Sequence, residues 1–179
     1  MQLQPVLHFW FEELTDKQHF AKDSALDEAM HSRFGATLAA AGCCELFAWR
    51  ATPEGRLAEI LVLDQFSRNI YRDTPRSFAQ DALALVLAQE MVAQGHDQRL
   101  SPAQRAFAYM PYMHSESALV HTQAVAVFLQ PGMEGTLDYE QRHKAIIDRF
   151  RRYPHSNAIL GRTSSAEELA FLSEPGSSF

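Results

Sequence analysis

The residues with the most chemical potential in this 179-residue chain fall in three short stretches. In LDQFSRNIY, Asp64 and Arg68 are four residues apart, as are Gln65 and Asn69, and that spacing brings each pair onto one helix face. The segment is otherwise apolar, so the carboxylate and guanidinium must be paired, hydrogen-bonded or open to a cleft, because burying a lone charge costs several kcal/mol. In MPYMHSE, His114 and Glu116 follow Pro111, a residue that disturbs a helical ladder; His114 can move a proton and Glu116 can orient it. In RFRRYPHSN, Arg149 lies near the end of a helix and His155 and Asn157 lie beyond it, where the dipole favours a protonated imidazole. If these breaks face Asp64 and Arg68, one polar cleft holds an acid/base pair, His114 and Glu116. Its ligand-binding set would be Asp64, Arg68, Asn69, Arg149, His155 and Asn157, with the arginine forks gripping a carboxylate or phosphate.

Each group also has a purely structural use. Asp64 and Arg68 can brace neighbouring helices, His114 and Glu116 can cap a broken helix, and His155 can satisfy the last carbonyls of the helix before it. The spacing of His114 and Glu116 is not a standard metal-ligand pair, so no metal and no cofactor are expected. No nucleophile with a recognisable partner and no phosphate loop occur. Three readings stay open: a scaffold that binds a peptide or protein segment or a small anionic ligand, an enzyme using His114 and Glu116 with Arg68 and Arg149 as an anion clamp, and a structural cluster with the function in an oligomer surface. A closed pocket around His114 and Arg68 would favour the enzyme and an open groove the scaffold.

The elements that must position these groups read as helices throughout. Thr52–Pro53–Glu54 carries the start signals of a helix through Tyr71, and its apolar residues cover more than one face, as in a helix surrounded by others. Pro5 to Leu14 forms a short aromatic-rich helix, and Ser24 opens an amphipathic one that Gly42 stops. Asp73–Thr74–Pro75 starts a long helix to Gly95. Ser101–Pro102 starts another, which Pro111 should kink or break, with a restart at Ser115 or Ser117. Asp138 caps a helix through Tyr153, and Ser164 or Ser165 with Glu167 and Glu168 opens the last one. No stretch alternates with period two, so the chain is expected to be all-α, one domain over 1–179, built of antiparallel helix pairs.

The opening MQLQPVLHFWFEEL has no basic segment or cleavage site of a signal peptide, and no apolar run approaches the length of a membrane span. A cytoplasmic protein is expected. A formal charge of −6 argues against nucleic acid as a partner, despite the basic run Arg149, Arg151 and Arg152. Cys43 and Cys44 are neighbours and are expected to be reduced packing residues.

Taken together, VLHFWF, ILVLDQFSRNIYRDTPRSFAQDALAL, YMPYMHSE, RFRRYPHSNAILGRTSSAEELAFL and PGSSF resemble the bacterial DUF924 family across nearly the whole chain. The resemblance implies a helical fold similar to tetratricopeptide repeats and no established activity. Four positions depart from the family pattern: Ser67 stands for proline, Asp73 and Arg151 for glycine, and Ser156 for arginine. The terminal Phe179 is expected either to dock its ring and carboxylate or to fray.

Overall fold

The computed structural model describes residues 1–177; Phe179, and with it the expected docking of the tail, lies outside them. Among the described residues the regular structure is helical, without strands. Helix α1 (Gln4–His8) has proline in its first turn and widens into a π turn (Phe9–Glu13), burying Val6, Phe9 and Trp10. After the short α2 (Asp16–His19), helix α3 (Ser24–Gly42) is capped by Asp23, not Ser24: the carboxylate accepts from the Ala25 and Leu26 amides. The chain leaves α3 through Cys44 at φ 60°. Both cysteines are exposed, so they are not the packing residues expected.

Thr52 caps α4 (Pro53–Leu61) as predicted, its hydroxyl accepting from the Gly55 amide at 3.1 Å. Residues 57 to 67 are buried without exception, the accessibility of a helix enclosed by others. The segment is nevertheless not one continuous helix. A second π turn (Val62–Phe66) separates α4 from α5 (Ser67–Ile70), and Asp64 and Gln65 sit inside it. Phe66 anchors the turn in an aromatic cluster, with ring centroids 5.0 Å from Phe34, 5.6 Å from Trp10 and 6.0 Å from Phe9.

Three boundaries differ from the sequence reading. The Asp73–Thr74–Pro75 signal opens only a 3-10 turn (Pro75–Phe78), entered through Asp73 at φ 59°; α6 (Asp81–Ala93) starts later and carries Asp81 in its first turn. Helix α7 (Pro102–Met113) runs through Pro111 unbroken, since a proline so near the C-terminus deletes a single ladder bond. Helix α9 (Glu134–Phe150) begins before Asp138 and ends where Arg151 turns left-handed at φ 60°. Ser117 caps α8 (Ala118–Phe128), and Ser165 with Glu168 forms a capping box at α10 (Ala166–Leu172).

Helices α6 to α9 pack as consecutive neighbours joined by short connections. Hydrogen bonds from Gln89 on α6 to Gln123 on α8, and from Gln98 beyond α6 to Gln130 beyond α8, both 3.4 Å, advance together along the chain, so α6 and α8 point the same way.

Candidate functional site

The π turn delivers Asp64 to the junction of α4, α6 and α7. Its Oδ1 accepts from Arg68 Nη1 at 2.9 Å and lies 2.7 Å from His114 Nδ1, while Oδ2 accepts from Gln65 Nε2 at 2.6 Å. Burial pushes the Asp64 carboxyl up, but Arg68, His114 and Gln65 outweigh it and bring the pKa down to about 2. Since Asp64 is ionised, His114 Nδ1 must donate to it. No described residue hydrogen-bonds Nε2, and it is not among the buried unpartnered atoms, so it meets solvent.

Arg68 is shared between two carboxylates. Its Nη1 also donates to the Asp64 carbonyl at 3.1 Å, and its fork closes on Asp81 through bonds of 2.9 and 3.0 Å above the Phe78 ring. Burial works against the guanidinium charge, yet Asp64 and Asp81 raise its pKa. Asp81 is pushed up by burial and by Asp64, against the pull of Arg68. Asp64 is sealed at 1% side-chain exposure, whereas Arg68, His114 and Asp81 reach the surface at 22%, 19% and 29%.

The other sequence-predicted residues are placed differently. Glu116 does not orient His114; Asp64 does. Glu116 instead accepts two bonds from Arg162, at 2.7 and 2.9 Å, and one from the Tyr153 amide at 2.7 Å. The Tyr153 hydroxyl donates to the Met113 carbonyl and accepts from His121 Nε2 at 3.1 Å, and its ring centroid lies 5.5 Å from that of His155. Burial holds the His155 imidazole below its usual pKa. Asn157 is buried and donates to Ser164 Oγ at 3.0 Å. Asn69 donates to Asp27 at 2.8 Å, beside two bonds from Arg72, and so ties α5 to α3. Arg149 pairs with Glu167 at 2.9 Å and lies over Phe150 and Phe171.

Of the predicted set, then, direct bonds join Asp64, Arg68 and His114. Asp81 was missed because an acid in a first helical turn reads as ordinary dipole compensation. Arg162 and Tyr153 were missed because neither stood in a local motif. Behind the site, buried His121 Nδ1 meets Glu140 Oε1 at 2.7 Å and Nε2 meets the Ser115 carbonyl at 2.8 Å, locking the connection that carries His114. Surface grooves of about 690 and 300 Å³ open beside α1 and at the end of α8, and neither is lined by a residue of this cluster.

A family model described as a bacterial protein of unknown function, DUF924, matches residues 6–176. The chain belongs to the DUF924 family. A solved structure of a protein of unknown function from Agrobacterium tumefaciens is similar to this DUF924 chain, with 36% identity, a TM-score of 0.90 and 96% of each chain covered. No curated protein matches it. Asp73 and Arg151, read from the sequence as standing in place of glycine, are both left-handed in this DUF924 chain, a conformation glycine takes without a Cβ penalty. Among the described residues no group of three His, Cys, Asp or Glu side chains is placed to hold a metal, and no helix is long and apolar enough to cross a membrane.

Proposed function

We propose that this DUF924 protein is a cytoplasmic recognition module, a single tetratricopeptide-like domain that holds a segment of a partner protein across the surface of α6, α7 and α8. The observation that carries the reading is a polar cluster braced from within by Asp64 while Arg68, Asp81 and His114 keep their outer edges at the surface. Exposed apolar side chains stand on the flanking helices, Val86 on α6 and Leu119 on α8. Rigid polar anchors beside apolar contacts are what a recognition surface needs. A small-anion site has less support, because Arg68 already serves two carboxylates and Arg149 and Arg162 each serve one.

One observation favours a second reading. The sealed Asp64 fixes the His114 tautomer and leaves Nε2 accessible, the arrangement of a general base, with Asp64 in the role first given to Glu116. Panning a random peptide library against the wild-type protein tests the first reading. Enriched peptides should lose binding to Leu119→Asp and to His114→Ala, with melting curves confirming that both variants fold. No enrichment, or peptides indifferent to both substitutions, removes the recognition reading.

A further inference from the structure

The two thiols at the end of α3 are reactive groups that the polar cluster does not use. Cys43 and Cys44 are free and both exposed, so neither is committed to packing. They occupy the turn by which the chain leaves α3, with Cys44 in the left-handed region at φ 60°. The Arg50 guanidinium, whose Nε and Nη2 are held by Glu59 at 2.7 and 2.6 Å, also reaches the Cys44 side chain. It sets a positive charge beside a sulfur that must shed its proton in order to bond.

Adjacency decides what the pair can hold. A trans peptide joins Cys43 to Cys44 and keeps their Cα atoms about 3.8 Å apart. Disulfide-bonded cysteines have Cα atoms about 4.4–6.8 Å apart, so a direct bond between these two is strained. Inserting one atom enlarges the ring and lets the sulfurs stay further apart than the roughly 2 Å of a disulfide. That atom must be soft, since thiolates prefer soft centres. It must also need few protein ligands, because among the described residues no group of three His, Cys, Asp or Glu side chains is placed to hold a metal. Zinc, which prefers a closed tetrahedral shell, is poorly served here. Trivalent arsenic takes two sulfurs and keeps a third substituent of its own.

We infer that Cys43 and Cys44 form a capture site for trivalent arsenicals, both sulfurs bonding one arsenic. Two S–H and two As–OH bonds are exchanged for two As–S bonds and two molecules of water. Arsenic stays trivalent, and no oxidant or reductant is consumed. The site does not depend on the recognition reading. The probe is phenylarsine oxide in its hydrated, dihydroxy form, mixed with the whole protein and followed by intact-mass spectrometry and thiol titration. One phenylarsine per chain should appear while both thiols of the chain disappear together. The adduct should survive an excess of 2-mercaptoethanol and be released by 2,3-dimercaptopropanol. Cys43→Ser and Cys44→Ser, each checked for an unchanged melting curve, should hold the probe about a hundredfold less tightly, as expected when two linked contacts become one. Absence of the adduct, or retention by either single variant as tight as by the wild type, overturns the assignment. So does closure of the pair into an internal disulfide in a glutathione redox buffer, seen as loss of both thiols without an adduct.

Discussion

Replacing Arg68 with Met is the most informative perturbation of the fold. The methionine keeps an unbranched apolar stem and removes the charge. It leaves Asp64, 1% exposed, with only His114 and Gln65 as polar partners. Breaking a buried pair from one side costs about 3–5 kcal/mol, because the remaining charge is stranded. The acid side gives a second estimate. A fall in the Asp64 pKa from 3.8 to about 2 corresponds to roughly 2 kcal/mol favouring the folded state above the unfolded value. That stability is present at neutral pH and is lost as pH drops from about 4 towards about 2. Urea unfolding of Arg68→Met at pH 7 should therefore show a loss of about 3 kcal/mol. With the guanidinium gone, burial dominates and favours the protonated carboxyl, so the gap between variant and wild type should narrow on acidification. Adding Asp64→Asn to Arg68→Met removes the stranded charge and should recover much of the loss. A cost below about 1 kcal/mol at pH 7, or a gap that does not change with pH, would refute the view that Asp64 is held ionised chiefly by Arg68.

Three further outcomes follow from the geometry. Arg151→Gly relieves a left-handed residue at the end of α9 and should raise stability by about 1 kcal/mol in urea unfolding. At Glu140, Gln can donate to His121 Nδ1 and should cost little, whereas Leu leaves a buried ring nitrogen unsatisfied and should cost about 1–3 kcal/mol by thermal unfolding. Gly55→Ala would place a Cβ 2.0 Å from the Trp49 carbonyl oxygen, and calorimetry should show a loss of about 3 kcal/mol or failure to fold.

The helices were legible where chain-local chemistry sets them. Thr52–Pro53, Ser101–Pro102 and Ser165 with Glu168 cap helices because hydroxyl and following amides are covalently close. Asp64–Arg68 was legible for the same reason, as an i,i+4 pair. What the sequence could not order was competition between distant partners. Glu116 had His114 two residues away and took Arg162 instead, 46 residues on. Arg149 had Glu167 within reach once α10 folded back. The late start of α6 has no local signal, since Thr74–Pro75 opens a 3-10 turn instead, and that shift is what presents Asp81 to Arg68.

The wide turn at Val62–Phe66 has a consequence for how this chain tolerates changes in length. A π turn is what an α-helix becomes when it accommodates one extra residue. Removing a single residue there would let the ladder close in ordinary α form, each downstream amide keeping its carbonyl partner at a spacing of four residues in place of five, so α5 would present nearly the same face. Arg68 would stay toward Asp81, and Asn69 and Arg72 toward Asp27. Which residue is lost then decides the outcome: removing Asp64 takes away the carboxylate at the centre of the site, whereas a residue lost from the regular α4 would turn everything beyond it by about 100°.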